Sequence, residues 1–243
     1  MKHKEWKKTQ KDNYKESRVS VKNLSTSTSL REPSYGGDKE QAQKLFHELE
    51  HELMTSEKPS NYLNTLLSRP EFNQYPFSML ASLEKTEQSP KYHPEGNVWI
   101  HTMMVVDVAA AEKEKSERPK EIMWAALLHD IGKPETTRFR KGRITSYDHD
   151  RVGAELADKF LSEFTTDRDF IRYVCSLIRW HMMILYVNKD LPFGDLQTML
   201  NEVRSEDLAI LGWSDRTGRT GIDKNAEKES IELFLKKAKS IEV

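Results

Sequence analysis

AALLHDIGKP, residues 125–134, is an apolar helical segment that delivers His129 and Asp130 side by side and then stops at a glycine and a proline. Adjacent side chains on a helix diverge by ~100°, so such a pair at a helix end can reach one metal ion from two directions. A nitrogen and an anionic oxygen suit iron, manganese, zinc, cobalt or nickel. A simpler interpretation stays open, in which Asp130 only accepts a hydrogen bond from a core histidine.

The chain around this stretch has the period of helices rather than strands. From Glu40 onward, Leu45, Phe46, Leu49 and Leu53 fall on one stripe of a helix. Similar patterns predict helices over residues 60–68, 97–115, 121–131, 150–163, 168–182, 195–201, 205–216 and 225–240. Over residues 137–145, alternation around a Lys-Gly pair instead predicts a short β-hairpin. The fold class is therefore predicted to be all-α, a helical bundle with one hairpin insertion.

The 243 residues are enough for one sizeable domain and a tail. Residues 1–38 are rich in Lys, Ser, Thr and Asn, which predicts a flexible polar tail before a single domain over residues 39–243. The tail leans positive and carries Trp6, Tyr14 and Tyr35, which would suit weak contact with RNA. A solvated tail without a partner is the alternative.

Composition excludes several classes of protein. The 38 Lys and Arg nearly cancel the 39 Asp and Glu, so the net charge of -1 gives no whole-chain argument for nucleic acid, membrane or an acidic substrate. The single cysteine, Cys175, cannot form an internal disulfide and fits a reducing compartment. The N-terminus lacks the apolar part of a secretory signal, and no apolar run reaches the ~18–20 residues of a membrane helix. We therefore expect a soluble, cytoplasmic protein.

A literal zinc-protease motif occurs near the start of the helical region. Residues 47–51, HELEH, match H-E-x-x-H, in which two histidines one turn apart bind zinc and the glutamate is the base. At ~100° per residue, however, His47 and His51 lie opposite the apolar stripe and should face water. We interpret the motif as a solvated helix face and reject the protease hypothesis.

Other polar residues stand in apolar surroundings. His101 lies within an apolar helix, His149 precedes a helix, His181 ends one, and Asp215 lies on an otherwise apolar face. Each alone is as well explained by a satisfied core histidine, a solvated acid or a helix cap. Together with the His-Asp pair they give the order H…HD…H…H…D, which favours a metal site.

This order and the words around it resemble the HD superfamily of metal-dependent phosphohydrolases. The segments PKYHPEGNVWIHT (90–102) and HDIGKPETTRFRKGRITSYDHDRVGA (129–154) are similar in particular to the HD domain attached to bacterial tRNA nucleotidyltransferases. The similarity covers roughly residues 59–220. Since the chain shows no motif of the nucleotidyltransferase head, we expect a free-standing HD domain.

The resemblance implies an all-helical fold and a set of metal ligands. It assigns a first divalent ion to His101, His129, Asp130 and Asp215, and, by the pattern of two-metal members, a second ion to His149 and His181, with Asp130 as the bridge. Manganese, nickel, cobalt, iron or zinc would suit these donors, with magnesium as a further option. Two ions ~3.5–4 Å apart can lower the pKa of a bridging water and clamp the phosphoryl oxygens.

Asp130 and Lys133 are the predicted catalytic residues. Lys133, in the turn that ends the helix, is placed to meet the substrate phosphate, although an ordinary surface lysine is the alternative. Arg151 and His93 are further substrate-binding candidates. The chain departs from the family at residues 148–150, where Asp-His-Asp replaces the usual Gly-His-Glu and loosens the expected loop contacts but keeps the histidine.

The implied function is hydrolysis of a 2′,3′-cyclic phosphodiester or a phosphomonoester, on a nucleotide or an RNA end, through a metal-activated water. A catalytically idle RNA-binding module is an alternative, against which the full set of six candidate ligands argues. A di-iron oxygenase would share the ligands. Guanosine-tetraphosphate and cyclic-di-GMP hydrolases are disfavoured because the acidic pair of the first group and the Gly-Tyr-Pro signature of the second are absent.

Overall fold

The computed structural model describes residues 39–241, so the predicted tail over residues 1–38 and its RNA contact lie outside the described residues. The described chain is helical apart from one two-stranded hairpin, which confirms the all-α fold class. Its α-helices are α1 (Lys39–Thr55), α2 (Pro59–Leu66), α3 (Ser78–Ala81), α4 (Val98–Glu112), α5 (Pro119–Leu128), α6 (Lys133–Thr136), α7 (His149–Ser162), α8 (Arg168–Trp180), α9 (Met183–Asn188), α10 (Leu196–Glu202), α11 (Ser205–Thr217) and α12 (Lys224–Lys239). Short 3-10 helices cover Pro70–Asn73, Ser82–Lys85 and Lys113–Lys115, and the hairpin consists of β1 (Thr137–Arg140) and β2 (Arg143–Ser146).

The centre of the bundle is formed by α4 and α5. Asn97 caps α4 by accepting a hydrogen bond from the backbone N–H of Ile100, and Pro119 begins α5 with the φ that a helix needs. Helix α4 packs against α2, α5 and α11, and α5 packs against α1, α8 and α11. Residues 122–128 of α5 are all buried, because other helices surround it. The two central helices thereby carry polar residues into the interior.

The hairpin predicted from the alternation is present. Its strands pair Phe139 with Ile144 in an antiparallel register. Lys141 and Gly142 have φ angles of 49° and 75°, so both turn residues lie in the left-handed region that a two-residue hairpin turn of this kind requires. The second strand runs one residue past the predicted segment, to Ser146, and leads almost directly into α7.

Helix α1 presents the zinc-protease motif to solvent. Leu45, Leu49 and Leu53 are buried, whereas His47 and His51 are exposed on the other side of the helix. The hypothesis that this motif is a solvated helix face is confirmed.

Two predicted helices end earlier than their apolar pattern does. The helix predicted over residues 168–182 is α8, which ends at Trp180, and the one predicted over residues 121–131 is α5, which ends at Leu128. In both places a histidine directly after the helix uses its Nδ1 to bond the carbonyl oxygen three residues earlier, where a helix end leaves carbonyls without backbone partners. The short helices α6 and α9, which continue the chain after these ends, are not indicated by the sequence pattern.

One segment of the described chain, Arg168–Asn188, is long and apolar enough to cross a membrane by length and composition alone. This corrects the expectation that no segment meets that criterion. Half of its most apolar window is buried inside the protein, where it packs as α8 and α9. An apolar composition of this kind is therefore also expected of a helix that packs in a protein core.

Candidate metal centre

Six buried side chains from five helices meet at one place: His101 of α4, His129 and Asp130 at the end of α5, His149 of α7, His181 at the end of α8, and Asp215 of α11. Ligand atoms of His101, His129 and Asp130 lie within 4.8 Å of one another, and so do those of Asp130, His149 and His181. The two groups share Asp130. The structure thus brings together all the residues that the resemblance assigns as ligands.

A close approach of backbone to backbone places His149 in this cluster. A Cβ on Gly132 would lie 2.3 Å from the carbonyl oxygen of His149 and 2.6 Å from the backbone nitrogen of Gly153, so glycine alone fits there. Asp148, with a φ of 61° in the left-handed region, turns the chain from the hairpin into α7. The glycine that follows the His-Asp pair therefore serves to seat another histidine further along the chain.

Three imidazoles make the same hydrogen bond, which fixes their tautomer. The Nδ1 atoms of His129, His149 and His181 lie 2.8, 2.7 and 2.7 Å from the carbonyl oxygen three residues earlier in each case. Because a carbonyl only accepts, each Nδ1 carries a proton and each Nε2 offers a lone pair. Burial lowers the pKa of His181 to about 4 and also lowers the pKa of His149, which favours the neutral form that binds metal.

The Nε2 atoms of these three histidines point toward one another, and none of them has a hydrogen-bond donor for its lone pair in the described part of the chain. His149 Nε2 and His181 Nε2 lie 3.1 Å apart, so two lone pairs face each other. His129 Nε2 lies 3.2 Å from Oδ2 of Asp130 but has no hydrogen-bond partner within residues 39–241. Oδ1 of the same carboxylate is 3.6 Å from His149 Nε2. Lone pairs and a carboxylate that face one another fit a cation between them, so this donor set could hold one or two divalent metal ions.

His101 is fixed through its other ring nitrogen. Its Nδ1 lies 3.2 Å from the carbonyl oxygen of Gly218 and 3.1 Å from Oε1 of Glu95. A Cβ on Gly218 would lie 2.8 Å from the backbone nitrogen of Val105, so this carbonyl can approach α4 only because the residue is glycine. The Nε2 of His101 faces the cluster, 3.0 Å from Oδ1 of Asp215.

The two carboxylates of the cluster are ionised. Burial would raise the pKa of Asp130, but the neighbouring imidazole of His129 and the ammonium group of Lys133 outweigh it and hold that pKa well below its usual range. For Asp215 the opposing charge is mainly that of Arg219, whose Nη2 lies 2.6 Å from Oδ1 and holds the pKa well below its usual range. The carboxylates can therefore supply anionic oxygens to a metal ion.

The cluster lies at a cavity of about 540 Å³. Of the six clustered residues, Asp130, His149, His181 and Asp215 line it, and four cations line it as well: Lys133, Lys189, Arg216 and Arg219. Arg216 is engaged with Glu227 of α12 at 3.0 Å, whereas Arg219 is held on Asp215. A cavity with metal-binding donors and cationic side chains suits an anionic ligand.

Lys133 lies inside this cavity rather than on the open surface. Its Nζ is 2.7 Å from Oδ2 of Asp130 and donates a hydrogen bond to Oε1 of Gln88. The side chain is buried, so the alternative of an ordinary surface lysine does not describe it. Its contact with a substrate phosphate stays a prediction.

The two other predicted substrate-binding residues are placed differently. His93 lines the cavity, and burial lowers the pKa of its imidazole to about 4. Arg151 is exposed on α7, and its guanidinium pairs with Glu155 of the same helix at 3.0 Å. The structure does not bring Arg151 to the lining of the cavity.

Three residues at the site were not singled out by the sequence: Gln88, Glu95 and Arg219. Burial would raise the pKa of Glu95, but hydrogen bonds from His101, from backbone and from His93 outweigh it and lower that pKa to about 2. Its other oxygen, Oε2, is buried and has no hydrogen-bond partner in the described chain. Two signals in the sequence could have identified the charged residues. Glu95 stands just before the helix that carries His101, and Arg219 stands four residues after Asp215.

The chain is similar to known proteins over part of its length. The HD domain family model matches residues 98–209. A Multifunctional CCA protein from Nitrosococcus oceani is 24% identical over 166 residues, which cover 65% of this chain and 39% of that protein. One from Pasteurella multocida is 27% identical over 192 residues, covering 75% of this chain and 44% of that protein. An A-adding tRNA nucleotidyltransferase from Deinococcus radiodurans is 38% identical over 80 residues, 31% of this chain and 17% of that protein.

The chain thus matches less than half the length of these curated relatives. The family match begins at the first residue of α4 and ends within α11, so it takes in five of the six clustered residues, and Asp215 lies just beyond it. The fold, the order of the polar residues and the family match agree. This chain therefore contains an HD domain, built from the helices that carry the cluster.

Proposed function

We propose that this chain is a metal-dependent phosphohydrolase that acts on phosphoesters of nucleotides or RNA ends. The observation that carries the proposal is the pair of ligand groups that share Asp130 beside a cavity with cationic lining. Donors that suit divalent ions and side chains that suit phosphate occur together there. Hydrolysis of a phosphoester needs both.

Each part of the cavity has a role in this proposal. The cluster would hold one or two divalent ions, for which manganese, nickel, cobalt, iron and zinc suit the mixed imidazole and carboxylate donors. Such ions would polarise a phosphoryl oxygen and lower the pKa of a water molecule. Lys133 and Arg219 would bind phosphoryl oxygens and balance the negative charge that grows during hydrolysis. Asp130 belongs to both ligand groups and would hold the two groups at a fixed distance from each other.

The proposed substrate is a 2′,3′-cyclic phosphodiester or a phosphomonoester. One relative is by name a tRNA nucleotidyltransferase, which supports a nucleotide or an RNA end as the carrier of the phosphate. Tyr92 lines the cavity and is 61% exposed, and Lys91 Nζ lies 5.3 Å from the centre of its ring, so a base stacked on this ring would have a cation beside it for its phosphate.

The test is product release after chelation and addition of single metal ions. The panel comprises 2′,3′-cyclic nucleotides, nucleoside monophosphates and a generic aryl phosphodiester, each with manganese, nickel, cobalt, iron, zinc or magnesium. We expect turnover to require an added ion and to fall to the ion-free level in His129→Ala and Asp130→Asn. The matched control is His47→Ala with His51→Ala on α1, which removes two exposed histidines and should retain full activity.

Lys133→Ala separates phosphate binding from metal binding. We expect kcat/KM to fall by about 100-fold, the usual loss for a group that stabilises transition-state charge, while the metal content of the protein stays the same. Lys85→Ala, at an exposed position, is the control and should behave as wild type. Unchanged kinetics of Lys133→Ala would remove that residue from the proposed machinery.

If no substrate of the panel is hydrolysed with any metal ion, the proposed hydrolysis is refuted. The metal content of the protein would then indicate which alternative function to test. Bound iron with substrate-dependent oxygen uptake would favour a di-iron oxygenase that uses the same ligands. No bound metal, with RNA affinity retained, would favour an idle RNA-binding module.

A further inference from the structure

The β-hairpin, residues 137–146, is a cationic and aromatic arm next to the cavity. Its four cations, Arg138, Arg140, Lys141 and Arg143, are all exposed. None of them forms an ion pair with any carboxylate of residues 39–241. Phe139, which lies between Arg138 and Arg140 along β1, has a ring that is 76% exposed. Because the whole chain has a net charge of -1, this concentration of positive charge is local.

The strand register divides the hairpin into two faces. Phe139 lies across from Ile144, and Ile144 and Ser146 both line the cavity, so this face continues the cavity wall outward to the exposed ring. The opposite face carries the three arginines, and Arg140 lies directly across from Arg143. A two-stranded ribbon twists strongly, so long side chains from the cationic face reach past its edges.

Neither feature is explained by folding alone. Like charges directly opposite each other destabilise an antiparallel pair, and an exposed phenyl ring contributes little to a core. A single-stranded polynucleotide would relieve both, since its phosphates neutralise the arginines and its unpaired bases stack on an aromatic ring. The face that carries Phe139 also continues into the cavity wall through Ile144 and Ser146, so a strand whose terminal nucleotide lies in the cavity would pass over this ring.

We propose that the hairpin binds the single-stranded RNA segment that leads to the terminal nucleotide in the cavity, with Phe139 stacked on a base and the arginines and Lys141 on phosphates. This inference rests on the proposed function and narrows its substrate from nucleotides in general to RNA ends. The hairpin then supplies affinity for the strand, and the cavity supplies the chemistry.

The test is fluorescence anisotropy of a labelled single-stranded RNA of about ten nucleotides, titrated with full-length protein in the presence of a chelator so that no turnover occurs. We expect the combined variant Arg138→Gln, Arg140→Gln, Arg143→Gln to weaken binding at least about tenfold and to reduce the slope of log affinity against log salt by about two, since each phosphate contact on a single strand contributes ~0.7. Phe139→Ala should weaken binding about tenfold with the slope unchanged, as loss of one stacked base does.

A matched control removes the same charge elsewhere. Lys58→Gln, Lys236→Gln and Lys239→Gln combined change three exposed lysines away from the cavity and should leave affinity and salt slope as in wild type. Unchanged thermal unfolding of all variants, expected because the altered side chains are exposed, excludes loss of fold as the cause.

Three outcomes would overturn the proposal: no RNA affinity in the wild-type protein, equal losses in the hairpin and control variants, or hairpin-dependent binding to anionic lipid vesicles but not to RNA. The chelated protein needs no catalysis to bind RNA. If the hairpin binds RNA but no metal ion supports hydrolysis, the proposed function is refuted and the RNA contact is supported. If small substrates are hydrolysed but RNA does not bind, the proposed function is supported and the RNA contact is refuted.

Discussion

Oε1 of Glu95 lies 3.1 Å from Nδ1 of His101, on the side of the imidazole that faces away from the cluster. A carboxylate in this position orients the ring and makes its other nitrogen a stronger donor to metal. Glu95→Gln keeps the shape and removes the charge, and we expect it to weaken metal affinity about tenfold, at the lower end for such a partner because Gly218 still holds the ring. Isothermal titration with Mn²⁺ or Zn²⁺ measures this, with the exposed Glu87→Gln as control. Equal affinity in both variants would show that Glu95 has no part in metal binding.

Gly132→Ala tests the close approach that seats α7. The new methyl group would lie 2.3 Å from the carbonyl oxygen of His149, a backbone atom that can move only with the helix. We expect the free energy of unfolding in urea to fall by about 1–3 kcal/mol, as overpacking does, with a parallel loss of metal affinity because His149 shifts. Gly194→Ala is the control, since its Cβ would meet other atoms no closer than 3.4 Å. Retained stability and affinity in Gly132→Ala would contradict the account of this turn.

Metal should stabilise the fold without any substrate. Facing lone pairs and buried carboxylates are unfavourable until a cation lies between them, so an ion that binds the native state raises its stability by mass action. At an ion concentration about 100 times Kd, the gain is about 2.7 kcal/mol. Thermal unfolding with and without chelator measures it. A gain of equal size in His129→Ala would place the ion elsewhere.

Cys175 provides a prediction about pH. Burial raises the pKa of this thiol to about 12, whereas an unfolded cysteine has a pKa of about 8.5. Thiol reagents attack the thiolate, so at a pH of about 8 the native protein should react roughly a thousandfold more slowly than the urea-unfolded chain. The neutral thiol is favoured in the folded state, so its contribution to stability is present below the unfolded pKa and is lost as pH rises toward the folded value. Labelling with a chromogenic disulfide gives both rates, and equal rates would contradict the burial.

Helical periodicity predicted the long helices because each buries an apolar stripe, as the buried leucines of α1 show. It did not predict the breaks after Leu128 and Trp180, because apolar residues continue the helical period beyond each of them, Ile131 after the first and Met182 to Val187 after the second. The breaks come instead from histidine side chains that bond helix-end carbonyls, a local competition that apolar spacing does not record.

That the six polar residues meet was predictable, because imidazoles and carboxylates in apolar surroundings need partners and because their order resembles that of the HD family. The placement of Arg151 could not be judged in the same way. It was predicted to bind substrate and stands two residues after His149, but it is exposed on α7 and pairs with Glu155. Glu95 escaped notice because charged residues in a turn are ordinarily solvated, and only the packed structure shows it buried between two imidazoles.

The distance along the chain between the residues of the cluster bears on how the protein folds. His101 and Asp215 are 114 residues apart, and their neighbours in the cluster come from three further helices. Closing such long loops costs entropy before any contact repays it, so these residues meet only once the bundle is assembled. An ion held by the cluster would therefore act late, on the barrier out of the native state rather than on the barrier into it. It would set how long the folded chain lasts, not how fast it forms.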